Sequence, residues 1–164
     1  MKYKDNFTFN FIMTSVTLYF DGCSKGNPGP AGSGAIIKYQ SNMTNITNVI
    51  NDVSLCEYVG NTTNNVAEYK GLILGLKHLK EKNIKYLTIK GDSMLVINHM
   101  TGKYKVKSPN LLPLYNEAKE LIQSISNSNI DLNIEIIFLY IPREENKEAD
   151  HLANMGLKLK PLVN

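Results

Sequence analysis

Cysteine is scarce in this chain: Cys23 and Cys56 stand alone, at no metal-ligand spacing. That excludes a disulfide framework and a cysteine-built metal centre, leaves room for one bridge at most, and fits a reducing compartment. Arginine is scarcer still, because Arg143 is the single one and every other strongly basic residue is lysine. No apolar run approaches the roughly 20 residues of a membrane-spanning helix. The opening MKYKDNFTFNFIM has no uninterrupted apolar stretch and no arginine, so neither a secretory signal nor a transit peptide is expected. A cytoplasmic protein without a membrane contact is the expectation. No internal repeat and no linker divides the chain, and 164 residues with 43% hydrophobic and 20% charged content suit one domain with a sizeable core. A net charge of +3 permits a polyanionic partner without demanding one.

The chain is organised around VTLYFDGCSKGNPGP, residues 16–30. Val16 to Phe20 is rich in β-branched and aromatic residues and reads as a buried strand. The strand is expected to end on Asp21-Gly22, followed by a loop through Gly26, Pro28, Gly29 and Pro30 to about Ala31. Asp21-Gly22 as a plain hairpin turn is the second choice, because a two-residue hairpin would resume its strand at once.

Further strands are predicted at Gly32 to Tyr39, at Ile46 to Val59, at Tyr86 to Lys90 and at Leu132 to Tyr140, the last of them buried. Helices are predicted at Val66 to Lys82, started by Asn64-Asn65, at Ser93 to Met100, at Asn110 to Ser126 and at Lys147 to Leu157. In the first helix, Gly71 and Gly75 give a face without side chains, which makes sense if another backbone packs there. The order βββαβααβα implies an α/β fold on a five-stranded mixed sheet, its first three strands antiparallel and the rest parallel, flanked by helices. Residues 1–13 read as an arm or an extra strand, from the alternation Phe7, Phe9, Phe11. Residues 14–158 form the domain and 159–164 a tail.

Four carboxylates stand at junctions: Asp21 after the first strand, Glu68 in the first turn of the first helix, Asp92 after the fourth strand, and Asp150 early in the last helix. In open α/β sheets, ligands bind beyond the carboxyl ends of the strands. The first and fourth strands should be parallel neighbours, which sets Asp21 beside Asp92. Clustered carboxylates repel unless a cation neutralises them, and Mg²⁺ takes oxygen ligands of this kind. Each acid also has a structural explanation. Glu68 could close a capping box with Asn65, Asp92 could cap the second helix, and Asp150 could complement a helix dipole. The whole set, one acid at the end of each of four elements, is harder to explain that way.

The motifs YFDGCSKGNPGPAGSG, TTNNVAEY, KGDSMLVINHMTGKYKVK and PREENKEADHLA, in this order, resemble those of type 1 ribonuclease H, over about Val16 to Leu157. The resemblance implies an endonuclease that cuts the RNA strand of RNA–DNA hybrids, leaving a 3′-hydroxyl and a 5′-phosphate. It makes residues 14–158 the catalytic domain and Asp21, Glu68, Asp92 and Asp150 the ligands of two Mg²⁺ ions, with Mn²⁺ as a substitute. Two ions about 4 Å apart would bridge the scissile phosphate, one activating the attacking water and the other stabilising the leaving oxygen. By the same resemblance, Gly22, Cys23, Asn27 and Asn64 line the minor groove and read ribose 2′-hydroxyls, Asn65 lies on the DNA side, and Thr63 meets a DNA phosphate. The partner is then the hybrid duplex, with no obligate protein partner, and the protein is expected to be a monomer. The alternatives are a non-catalytic hybrid-binding protein and another ribonuclease H-like nuclease that acts on DNA.

Three departures from the family pattern stand out. The bacterial form has a histidine in the loop before the last helix. Here Ile141 to Glu145 has none, and Arg143 is expected to take its role, as in archaeal and plant-like members with a PRE loop. The competing explanation is a salt bridge from Arg143 to Glu144 or Glu145. Met94 stands where many relatives carry an amide that reads the RNA. The basic handle is short, with Lys103, Lys105 and Lys107 alternating with Tyr104 and Val106; these lysines are expected to grip the DNA backbone. His78, expected on an exposed helix edge, His99 and His151 show no metal spacing.

Overall fold

The computed structural model describes residues 13–40, 51–129 and 133–160. The described residues form five strands: β1 (Met13–Ser24), β2 (Gly29–Gln40), β3 (Val53–Thr62), β4 (Ile84–Gly91) and β5 (Glu135–Tyr140). Among the same residues are four α-helices: α1 (Asn64–Leu79), α2 (Met94–Met100), α3 (Leu112–Ser128) and α4 (Lys147–Lys158). The sheet order is β3-β2-β1-β4-β5. β1–β2 and β2–β3 are antiparallel, while β1–β4 and β4–β5 are parallel. The five-stranded mixed sheet, the element order and the parallel β1–β4 neighbours are as expected.

Side chains alternate across β1, and the two faces have different covers. Val16, Leu18 and Phe20 are fully buried and pack with Leu72, Leu76 and Leu79 of α1 and Val96 of α2. On the same face, the Ser33 hydroxyl donates to the Ala67 carbonyl of α1, 2.6 Å away. The opposite face of β2 carries Gly34, where an added Cβ would lie 2.4 Å from the Ala153 nitrogen of α4. Helix α4 therefore lies across β1, β2 and β3, while β4 and β5 lack this cover.

Several boundaries differ from expectation. β1 does not stop at Asp21. It runs to Ser24, and the turn spans only 25–28, closed by Lys25 N–H donating to the Pro30 carbonyl at 2.8 Å. Neither the long loop nor the Asp-Gly hairpin occurs, because small residues on both strands keep pairing: Gly22 with Ser33, Cys23 with Gly32, Ser24 with Ala31. β3 begins at Val53 and extends to Thr62, and positions 46–50 of its predicted span lie outside the described residues. α1 ends at Leu79, and α3 begins at Leu112 with Pro113 in its first turn, where a missing N–H is harmless. β5 is shorter than predicted and is an edge strand, half covered rather than buried. Ile136 and Phe138 pack on the core, while Ile137, Leu139 and Tyr140 are exposed. The predicted loop 141–146 contains a 3₁₀ turn, Arg143–Glu145. The Phe7, Phe9, Phe11 arm lies outside the described residues, as does the tail beyond Lys160.

Gly71 bears out the bare-face expectation: a Cβ there would sit 2.3 Å from the Asp21 carbonyl oxygen and 2.9 Å from that of Gly34. Gly75 differs, because its close neighbour is the Leu18 side chain at 2.3 Å and not a backbone. Among the described residues no helix is long and apolar enough to cross a membrane.

Candidate active site

The parallel β1–β4 pairing ends at Phe20 and Gly91, and the next residue on each strand is an aspartate, Asp21 and Asp92. Glu68 comes from α1, which approaches β1 so closely that a Cβ on Gly22 would lie 2.1 Å from the Glu68 nitrogen. Asp150 comes from the first turn of α4. The fold thus brings the four acids to one end of the sheet.

Asp21 is 7% exposed, and its carboxylate accepts the Gly22 N–H at 2.8 Å. Burial first, then Asp92, and more weakly Asp150 and Glu68, push its pKa up to about 8. Glu68 is pushed up to about 7, again mainly by burial and then by Asp92, while the donors Ser93 and Asn64 resist the shift. Burial is the larger cause in both, and the smaller contribution from Asp92 places that carboxylate within electrostatic reach of Asp21 and Glu68.

Each acid also has a donor. Glu68 accepts from the Asn64 amide at 3.0 Å and from the Ser93 hydroxyl. Asp92 accepts from the Asn146 amide at 2.7 Å. Asp150 accepts from Arg143 Nη2 at 2.9 Å and from the Asn154 amide at 3.4 Å. Among the described residues, no three His, Cys, Asp or Glu side chains converge as a ready-made metal cage. The donor set is nevertheless all carboxylate oxygen and partly desolvated, with protons on Asp21 and Glu68 that a cation would displace. Those properties suit a hard divalent cation that keeps several of its own waters.

The structural explanations for the acids fare unevenly. Glu68 stands in the second turn of α1, and no capping box forms with Asn65. Thr63 is the N-cap, accepting the Val66 N–H at 3.4 Å. Asp92 does not cap α2, since Ser93 does so through the Val96 N–H. Asp150 does lie where the α4 dipole favours an anion, and its charge also reaches Asp21. Arg143 pairs with Asp150, a site acid, and not with Glu144 or Glu145.

Of the other predicted residues, Asn27, Thr63 and Asn64 gather at the start of α1. The Asn27 side-chain oxygen accepts the Asn64 N–H at 3.1 Å, and Asn64 also reaches Glu68. Gly22 is buried under α1, and Cys23 is a half-buried free thiol whose pKa burial pushes up. Asn65 is exposed, and Met94 is 49% exposed at the first position of α2. Lys103, Lys105 and Lys107 are exposed on the connection between α2 and α3, anchored by half-buried Val106 on the core. No hydrogen bond or ion pair among the described residues ties these lysines to the acids. His151 is exposed, whereas His78 is half-buried and not on an open edge. His99 is buried, with its Nδ1 2.9 Å from the Tyr69 hydroxyl.

Sequence reasoning missed Ser93 and Asn146. Serine or asparagine directly before a helix reads as an ordinary cap, so nothing in the pattern marks either as a partner of an acid.

A family model described as reverse transcriptase-like matches residues 19–156. A bifunctional protein of Mycobacterium tuberculosis is 37% identical over 139 residues, covering 85% of this chain and 34% of that protein. The solved N-terminal RNase H domain of that protein superposes with a TM-score of 0.70 at 36% identity, covering 88% of this chain and 99% of the domain. The ribonuclease H of Pseudomonas savastanoi pv. phaseolicola is 31% identical, covering 87% of this chain and 93% of that one. LC11-RNase H1, solved in complex with an RNA/DNA hybrid, gives a TM-score of 0.65 at 35% identity over 87% of this chain and 96% of that one. The chain spans about a third of the length of the first curated relatives it matches. On its sequence match and its sheet alike, this chain belongs to the reverse transcriptase-like family, with the fold of its ribonuclease H members.

Proposed function

We propose that this domain hydrolyses the RNA strand of RNA–DNA hybrids, leaving a 3′-hydroxyl and a 5′-phosphate. One observation carries the reading: Asp21 in β1 and Asp92 just after β4 follow the last paired residues of two neighbouring parallel strands, and Asp21 sits in a partly desolvated place where the charges of Asp92, Asp150 and Glu68 reach it. Asp21, Glu68, Asp92 and Asp150 would hold Mg²⁺, or Mn²⁺ in its stead. Two such ions would supply a polarised attacking water and a countercharge for the leaving 3′ oxygen. The chain's own part is to place the acids and to hold the hybrid in register with them.

The register would come from the start of α1. Asn64 stands beside Glu68 and Asn27 holds the Asn64 N–H, and amides both donate and accept, as a ribose 2′-hydroxyl requires. Thr63, Asn65, Gly22, Cys23 and Met94 would complete the contacts to the hybrid, and the exposed lysines 103, 105 and 107 suit the backbone of the DNA strand. Arg143, already on Asp150, is suited to escort a phosphate oxygen to or from the acids. The reading takes the protein as a cytoplasmic monomer, in keeping with its two free thiols.

Matched RNA–DNA, RNA–RNA and DNA–DNA duplexes in Mg²⁺, with wild type beside Asp21→Asn, test the reading. The expected outcome is cutting of the RNA in the hybrid alone, lost by about 10³-fold or more in the variant. Cutting of DNA would point to a DNA nuclease of the same fold. Hybrid binding without cutting in Mg²⁺ or Mn²⁺ would point to a binding protein.

A further inference from the structure

Asn146 connects more of the site than any of the acids does. It is 1% exposed, at the entry to α4. Its amide nitrogen donates to the Phe20 carbonyl at 2.9 Å and to Asp92 Oδ1 at 2.7 Å. Its own carbonyl accepts the N–H of Asp150 at 3.0 Å. One residue thus touches the neighbour of Asp21, the carboxylate of Asp92 and the backbone of Asp150.

The arrangement carries a sacrifice that a purely structural asparagine has no need to make. An asparagine before a helix ordinarily turns its side-chain oxygen onto a helix N–H. Here α4 has no side-chain cap, and among the described residues Asn146 Oδ1 is buried without a partner. The amide cannot simply be flipped, because its nitrogen faces two acceptors and an oxygen there would meet both. The side chain serves the acids instead of the helix. A neutral donor is also the right kind of group here. It fixes the direction of the Asp92 carboxylate without cancelling the charge a cation needs, as lysine or arginine would.

We infer that Asn146 is a positioning residue that sets Asp92, and with it the spacing to Asp21 and Asp150, for a divalent cation. The inference rests on the metal-dependent reading above. Its test is calorimetric titration of Mn²⁺ alone into metal-free wild type, Asn146→Ala and Asn146→Ser, with the hybrid KM and kcat measured alongside. Serine keeps an oxygen able to cap α4 but loses the bridge, so it serves if alanine does not fold.

The dissociation constant for Mn²⁺ should rise roughly 10–100-fold in both variants, as for other groups that orient a metal's ligands. The hybrid KM should stay within about twofold, and kcat should recover at high Mn²⁺. The loss should disappear in an Asp92→Asn background, where there is no charged carboxylate to direct. Unchanged Mn²⁺ affinity, with only a lower metal-free melting temperature, would make Asn146 structural and overturn the inference while leaving the function standing. Wild type that neither binds Mn²⁺ nor cuts the hybrid would overturn both.

Discussion

Asp21 sets the electrostatic character of the site, and its behaviour with pH is open to measurement. Its pKa rises from 3.8 to about 8 on folding, and that of Glu68 from 4.5 to about 7. A raised pKa means that the folded state holds the proton more tightly. Below about pH 4 both states are protonated and folding loses nothing. Between about pH 4 and 8 the unfolded chain ionises first, so stability falls as pH rises, and above about pH 8 the loss levels off. Melting curves in EDTA from pH 4.5 to 9 should show the wild type declining relative to Asp21→Asn, most steeply in the middle of that window. Saturating Mg²⁺ should cancel much of the difference. Parallel curves for the two proteins would remove the claim that burial strains this acid.

Arg143→Ala should lower kcat roughly 10–100-fold, and Arg143→Lys should not restore it, since lysine lacks the planar fork. Unchanged turnover in steady-state assays would reduce the arginine to a partner of Asp150. The four acids were legible one by one, each at a junction between elements. Their keepers were not, because Ser93 and Asn146 use a residue type and a position that local capping explains equally well.

At the scale of elements, the packing of α1 on β1 sets where Glu68 stands relative to Asp21. Gly71 and Gly75 each forgo about 1 kcal/mol of helix propensity against alanine. Gly71→Ala would drive a Cβ into the carbonyls of Asp21 and Gly34, which lie in the sheet and cannot turn aside. Gly75→Ala meets only the Leu18 side chain. Urea denaturation should show Gly71→Ala destabilised by about 2–3 kcal/mol and Gly75→Ala by clearly less. Equal losses would mean that Leu18 is as unyielding as backbone.

The helices and the sheet order could be read from apolar periodicity and from the alternation of element types. The end of β1 could not, because Asp-Gly and a run of glycine and proline signal a loop while pairing with β2 carries the strand further. Nor could the exposure of β5. Ile137 and Leu139 look like core residues until it is known that α4 lies elsewhere.

For the whole molecule, a net charge of +3 is too small to steer a polyanion unless it is concentrated. Lys103, Lys105 and Lys107 concentrate it on one exposed connection. Replacing all three with glutamine should weaken hybrid binding about equally for all base sequences. The slope of log affinity against log salt should fall by about 2–3 units, near one for each phosphate no longer neutralised. An unchanged slope in filter-binding titrations would assign these lysines to solvent.

The acids are far apart in the chain, and the β1–β4 pairing that brings Asp21 to Asp92 joins residues on either side of two strands and a helix. Asn146 and Asp150 arrive only with α4, the last described helix. During synthesis, then, a chain that has emerged only as far as α3 carries three of the four acids and lacks the Asn146 amide that donates to Asp92. On the proposed function, activity would switch on late, when α4 lies down across the sheet, and a translation product stalled before α4 should lack it.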